Sequence, residues 1–236
     1  MVEINIINSG SKGNMYSLKS NETILIVEIG MPFSEVINNV EIQNIVGAIY
    51  THRHFDHRNP KTSEEFRRRG ISVYAGENIA SDGECVLYKN KRNKIGDWQI
   101  QIFDAPHNIN NYGFLITTPT NERILFLTDT TGVNLRFRDI DCIMVECNHD
   151  DDTLLDNLIN HDVSMSRPEW HLGLEDCIKF CKANYSASLK QIILIHMSHT
   201  NINEQYALES VKEQVMFDNV AVAHKGDKFI IDNDDF

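Results

Sequence analysis

Residues 51–57 read THRHFDH, so three histidines and one aspartate fall within six positions, 52 to 57. The stretch follows an apolar run, VGAIY (46–50), and precedes a loop that contains Pro60. Imidazole and carboxylate together suit Zn²⁺, and they tolerate Mn²⁺ or Fe²⁺. Alternate residues of an extended segment project from one side. If this segment stays extended beyond a strand, His52, His54 and Asp56 converge, and His57 points elsewhere, toward a second, adjacent ion.

Three more residues of ligand type stand where apolar runs stop. His107 follows the run 98–104, Asp129 follows RILFLT (123–128), and His196 closes QIILIH (191–196). Loops at strand ends are where rigid scaffolds usually carry their sites. The candidates are now five histidines and two aspartates, and no cysteine joins them. Seven ligands exceed one tetrahedral ion, and a carboxylate can bridge two. Two ions about 3.5–4 Å apart are the arrangement expected for hydrolysis of phosphoryl or acyl substrates.

The elements that must position these residues follow from the pattern. Strands are expected over 2–7, 14–19 and 23–29, with turns at NSGSKGN (8–14) and KSNET (19–23). A helix is expected over 33–38, and strand 45–50 delivers the histidine cluster. KTSEEFRRR (61–69) reads as a helix with Thr62 or Ser63 as N-cap and Gly70 as stop. Further strands are expected at 71–75, within 97–118, at 123–128 and at 141–147. The second half turns helical, near 150–159, 173–184 and 203–215, around the buried strand 191–196. Strands near 219–223 and 227–232 close the chain, and this order implies helices outside sheets.

Composition bounds the partners. The net charge of −12 argues against a broad basic surface that grips long nucleic acid. Two basic clusters, FRRRG (66–70) and KNKRNK (89–94), read as solvated surface. Five cysteines with no CxxC pair indicate a reducing compartment without a disulfide framework. MVEINIINSG has no basic start and no apolar core of a leader, and no run is long enough to span a bilayer. The expectation is a cytoplasmic protein that does not enter membranes.

HRHFDH followed in order by His107, Asp129 and His196 resembles the ligand signature of the metallo-β-lactamase superfamily. The resemblance covers nearly the whole chain. It extends to SGSKGN, which is similar to the SGSSGN that opens the small YycJ/WalJ-like exonucleases of that superfamily. It implies one domain over 1–236, an α/β fold of four layers, αββα, with two divalent metals at one edge. The acidic end, 232–236, is expected to fray. The resemblance implies that His52, His54 and His107 hold one metal, that Asp56, His57 and His196 hold the other, and that Asp129 bridges them. The metals implied are Zn²⁺, with Mn²⁺ the alternative, and a hydroxide between the ions would be the nucleophile. Three departures stand out: VEIG puts Glu28 where the family often has aspartate, HRNPK follows the cluster where glycine is common, and Ile195 precedes the last ligand in place of glycine.

Phosphodiester cleavage expels an alkoxide and benefits from an acid. Members that cleave RNA ends or cyclic nucleotides use a histidine oriented by a glutamate. Glu146, at the end of a strand, and His171, just before a helix, resemble that pair, and with Asp56 they are the candidate catalytic residues. His149 fits either a supporting partner or a helix start, and His199 either lines the pocket or sits on a surface loop. His161 and His224 are expected to be structural. The expected activity is a two-metal phosphodiesterase acting on a nucleotide or nucleic acid. A 3′,5′-cyclic nucleotide phosphodiesterase of the phage anti-Pycsar type is the near alternative, and a thioesterase or lactonase on the same metals a further one. A homodimer is expected, because partner loops often cover such metal edges in the superfamily.

Overall fold

The computed structural model describes residues 1–159 and 168–232. The first sheet begins with β1 (Val2–Asn8), β2 (Met15–Ser20), β3 (Thr23–Val27), β4 (Ile45–Tyr50), β5 (Val73–Gly76) and β6 (Cys85–Leu87), laid side by side in chain order. The second sheet is β7 (Asn93–Ile95), β8 (Trp98–Asp104), β9 (Tyr112–Thr117), β10 (Arg123–Leu127), β11 (Cys142–Glu146), β12 (Gln191–Ile195) and β13 (Val220–Val222), again in chain order. The chain then returns to the first sheet, where β14 (Lys228–Ile231) pairs antiparallel with β1. In each sheet the strands that carry the ligands to their ends are partly parallel: β3 to β6 in the first, β10 to β13 in the second.

The side-chain period of two sorts the apolar residues into layers. Leu25 and Val27 of β3 face the second sheet and join Trp98, Phe114, Phe126, Met144 and Ile193 in the central core. Ile24 and Ile26 of the same strand face outward, against Phe33 and Val36 of α1 (Phe33–Asn39) and Phe66 of α2 (Pro60–Arg68). Ile143, Val145 and Leu194 likewise face outward, under α4 (Leu174–Ala183) and α5 (Glu204–Val215). A further helix, α3 (Asp151–Ile159), follows β11. Strands covered on both faces must be apolar throughout, which is why RILFL, CIMVE and QIILI lack alternation. Each large side chain buried this way contributes roughly 1.5–3 kcal/mol. The result is the four-layer αββα sandwich.

Some local expectations are corrected. The N-cap of α2 is Asn59, whose side chain accepts from the N–H groups of Lys61 and Thr62, with Pro60 at the first helical position. Thr62 and Ser63 are buried helix residues instead: Thr62 donates to the Met31 carbonyl at 2.7 Å, and Ser63 to Glu84 at 2.6 Å. The short strands β6 and β7 hold the crossing between the sheets, where the sequence shows only a basic cluster. Asn93 clamps that turn, accepting from Tyr88 N–H at 2.9 Å and donating to the Tyr88 carbonyl at 3.1 Å. Both basic clusters are engaged locally, as by Arg68–Glu64 and Lys89–Asp104, each 2.7 Å. All five cysteines are free, and only Cys85 is exposed. No helix among the described residues is long and apolar enough to cross a membrane. His161 and most of the acidic end lie outside the described residues. His224 is an exposed residue paired with Glu204 at 2.8 Å.

Candidate metal centre

The segment after β4 does not stay extended. It turns back at once, with His57 N–H and Arg58 N–H both donating to the His54 carbonyl, at 3.0 and 2.8 Å. This separates the residues differently from the alternation expected of an extended strand. His52 and His54 go one way, and Asp56 and His57 go the other. The turn is fixed from below. Asn14, in the SGSKGN loop, donates its backbone N–H to the Asp56 carbonyl at 2.7 Å, and its side chain lies 3.1 Å from His57 Nε2. Gly30 is required here, because a Cβ on it would stand 1.7 Å from the Asp56 carbonyl oxygen.

Among the described residues three groups of ligand-type atoms converge, and the turn contributes to two of them; the third is Asp129, Glu146, His171 and His196. In the first, His54 Nδ1 lies 3.0 Å from His52 Nε2 and 3.3 Å from His107 Nε2, and His52 Nε2 lies 3.2 Å from Asp129 Oδ2. In the second, His57 Nε2 lies 3.2 Å from Asp56 Oδ2, and His196 Nε2 lies 3.4 Å from the same oxygen. Asp129 Oδ2 belongs to both, since it is also 2.9 Å from His57 Nε2. Tetrahedral coordination at the usual Zn–N length spaces ligands about 3.3 Å apart. Three imidazole nitrogens and a carboxylate oxygen at such spacings fit one divalent cation, and the second set, two imidazoles and two carboxylates, fits another.

The far nitrogen of most of these rings is held, which fixes ring orientation. His107 Nδ1 lies 2.9 Å from the Trp170 carbonyl, and His52 Nδ1 lies 2.9 Å from Thr51 Oγ1. His57 Nδ1 faces Glu28 Oε1 at 3.4 Å, both fully buried. His196 Nδ1 faces Asp129 Oδ1 at 3.0 Å and Glu146 Oε1 at 3.1 Å. Glu28, Asp129 and His196 all have positive φ, at 63°, 50° and 52°. Side chains rarely adopt that conformation, and such strain gathers where the surrounding structure dictates a geometry.

His171 Nδ1 stands 2.7 Å from Glu146 Oε1 and 3.4 Å from Asp129 Oδ1. Glu146 is itself pinned, its Oε2 accepting from Leu172 N–H at 3.0 Å and Thr130 N–H at 3.3 Å. Burial alone would pull the His171 imidazole down. The two carboxylates outweigh it and raise its pKa to about 10. Burial lowers His52 to about 3 and also lowers His54 and His107. His57 and His196 are buried too, yet Asp129 and its neighbouring carboxylates raise both, His196 to about 9.

His149 lies outside both cages, bridged through its backbone to Gly173. His199 sits on a loop at the wall of a cavity of about 340 Å³ above the cages, with Ser11, Ser198 and Thr200. Neither basic cluster lines that cavity. The anchoring residues that the sequence did not single out are Asn14, Thr51 and Asn111, which donates to the Asp129 carbonyl at 2.6 Å. Asn14 alone had a signal, since it closes the SGSKGN motif.

An αββα sandwich with two His/Asp cages at adjoining strand ends defines the metallo-β-lactamase architecture. The chain belongs to this superfamily: residues 31–197 match the model of the β-lactamase superfamily domain. It is 23% identical over 245 residues to the exodeoxyribonuclease YycJ of Bacillus anthracis, covering 90% of this chain and 88% of that protein. It is 24% identical over 240 residues to the exodeoxyribonuclease WalJ of Streptococcus pneumoniae, covering 89% and 87%. Among solved structures, the metallo-β-lactamase fold protein YhfI of Bacillus subtilis superposes with a TM-score of 0.72 at 14% identity, over 97% of this chain and 98% of that one.

Proposed function

We propose that this protein is a two-metal phosphodiesterase acting on a nucleotide or nucleic-acid diester. The observation that carries the reading is the Glu146–His171 pair: the two meet at 2.7 Å, and His171 Nδ1 also lies 3.4 Å from Asp129, the residue common to both cages. A hydrolase of activated acyl substrates needs no such acid. The names of the sequence relatives point the same way.

In this reading His52, His54, His107 and Asp129 would hold one cation, and Asp56, His57, His196 and Asp129 a second. When bound, such cations neutralise phosphate charge and make hydroxide available from water at neutral pH. The rest is done by the chain. Asn14 and Gly30 hold the turn that presents Asp56 and His57. Glu146 fixes Nδ1 of His171, so its other nitrogen is free to give a proton to the leaving oxygen. Asp129 and Glu146 keep that imidazole charged, which is the form a general acid starts from. Zn²⁺ suits the imidazole-rich donor set, and Mn²⁺ is the next candidate.

A smaller substrate, such as a 3′,5′-cyclic nucleotide, is a second reading. The cavity over the cages is about 340 Å³ and none of its lining residues is Lys or Arg, which suits a compact diester. Turnover on an aryl phosphodiester, single-stranded DNA and RNA, and cyclic nucleotides, with Zn²⁺ or Mn²⁺ and Asp129→Ala as control, tests both. Metal-dependent cleavage of any diester that Asp129→Ala abolishes is the expected result. Metal-loaded protein that cleaves thioesters and no diester would overturn it.

A further inference from the structure

Two histidines that serve neither cage line one cavity. His199 and His224 stand at the wall of a space of about 330 Å³, together with the apolar Met197, Ile202 and Val222. Pockets of roughly 300–1,000 Å³, largely apolar with a few fixed polar groups, are the usual seats of small organic ligands. The polar groups here are fixed. His224 Nε2 lies 2.8 Å from Glu204 Oε1 and its Nδ1 3.3 Å from Asp227 Oδ2, so the ring is held from both edges. Asn203, the N-cap of α5, spends its side-chain oxygen on Tyr206 N–H at 3.0 Å, which leaves its amide N–H groups for another acceptor. The cavity adjoins the one above the cages, since Met197, Ser198 and His199 wall both. Ser9, which also lines it, accepts from His196 N–H at 2.9 Å and so ties it to a ligand of the second cage.

We propose that this cavity is a subsite for a nucleobase, that of the nucleoside which stays esterified to phosphorus while the other group departs. The inference rests on the phosphodiesterase reading, with His171 as the acid. In that step the bond from phosphorus to the oxygen at His171 breaks, and the oxygen keeps the electron pair and takes the His171 proton. The oxygen of water forms the new bond to phosphorus, keeping one proton, and the other restores the imidazolium. The nucleoside on the remaining ester oxygen must lie away from His171. Two spaces adjoin the cage cavity. The one that shares His171 with it is walled by six carboxylates, and Lys179 meets two of these, Glu175 and Asp176. The one across the 197–200 loop has a single carboxylate, Glu204, already held by His224. A base arrives joined to a phosphate, so charge favours the second space. There His199 and His224 offer imidazole faces for stacking, and Asn203 offers N–H to a base carbonyl.

The test uses three p-nitrophenyl diesters with the Zn²⁺-loaded or Mn²⁺-loaded protein: methyl p-nitrophenyl phosphate, and thymidine bearing a p-nitrophenyl phosphate on its 5′ or its 3′ oxygen. The leaving group is the same throughout, so the ratio of kcat/KM, thymidine over methyl, reads the retained group. The better thymidine ester is expected to exceed the methyl ester by about tenfold or more, within the range that stacking of a base supplies. In His199→Ala, an exposed position, that ratio shrinks severalfold, through KM more than kcat. In His199→Phe, which keeps a flat ring, most of it returns. A ratio near one for both thymidine esters, or a ratio that His199→Ala leaves in place, overturns the subsite alone. Cleavage of no diester, while a thioester is hydrolysed, overturns the phosphodiesterase reading and the subsite with it.

Discussion

The two cages share Asp129 and otherwise differ in charge. In the first, burial keeps His52, His54 and His107 neutral, with lone pairs ready for a cation. In the second, Asp56, Glu28 and Asp129 hold His57 and His196 in their charged forms. Cation binding to the first cage needs little proton loss, whereas the second must expel protons before its nitrogens can coordinate. Three histidines stand in the first cage and two in the second, but the count matters less than the carboxylates around them, which decide which imidazoles are neutral at rest and which store protons.

The largest effect expected is from Asp129→Ala, which removes the one contact common to both cages. Turnover should fall by roughly 10²–10³-fold or more, on the scale of losing a preorganised charge contact, and both cations should bind more weakly. Metal content by mass spectrometry and steady-state kinetics check this. A variant that loses one cation only would show that Asp129 belongs to a single cage.

Acid separates the cages next. Protons compete with the second cation through His57 and His196, raised groups that hold protons more firmly as pH falls below about 9. The affinity of the second cage should therefore drop steeply between pH 8 and pH 6, roughly, while the first, with its lowered imidazoles, changes little. Stoichiometry measured after equilibration at each pH should fall from two toward one. Titration in buffers of differing ionisation enthalpy should report proton release for one cation and almost none for the other. Equal release by both breaks the comparison.

Much of this was legible beforehand because ligand types stood at the ends of apolar runs, and such runs in a layered fold bring their ends to one edge. His107, Asp129 and His196 needed no more than that. The turn at 52–57 was not legible. Alternation predicts faces only while a chain is extended, and here Asn14 and the close approach of Gly30, both distant in sequence, force it to fold back. The anchors were hidden for the same reason: Trp170 acts through its carbonyl, and any residue type could supply one. The same limit hid β6 and β7, whose three-residue lengths carry no period to read.

Glu28→Gln sharpens the comparison further. Of the candidate ligands Glu28 faces His57, while its Oε2 accepts from Thr51 N–H at 3.4 Å, so the substitution removes the charge beside that imidazole and keeps the size. The second cation should bind about 10–100-fold more weakly if orientation dominates, the usual scale for groups behind a ligand. The first should bind as before. Because the charged carboxylate also raises His57, the same variant should shift proton release by the second cation downward. A change confined to the first cage would place Glu28 wrongly.

The smallest effect on the cages concerns their support. Arg58, next to His57, pairs with Glu84 at 2.9 Å, and Glu84 also accepts from Ser63 Oγ, Tyr50 Oη and Ser81 N–H. Burial would raise this carboxyl, yet those donors and Arg58 outweigh it and hold its pKa below the ordinary 4.5. A depressed acid stabilises the fold fully above its unfolded pKa and loses that contribution as pH falls through its folded one. Glu84→Gln should therefore lower stability at neutral pH by about 1–3 kcal/mol, the scale of hydrogen bonds to a charged group. The difference from the unsubstituted protein should close as the solution is acidified below pH 4.5. Thermal midpoints of the metal-free proteins from neutral to acid pH measure it. Because Arg58 follows His57 and not His52, whatever activity the variant loses should trace to the second cage, and metal content at pH 7 will show whether it does.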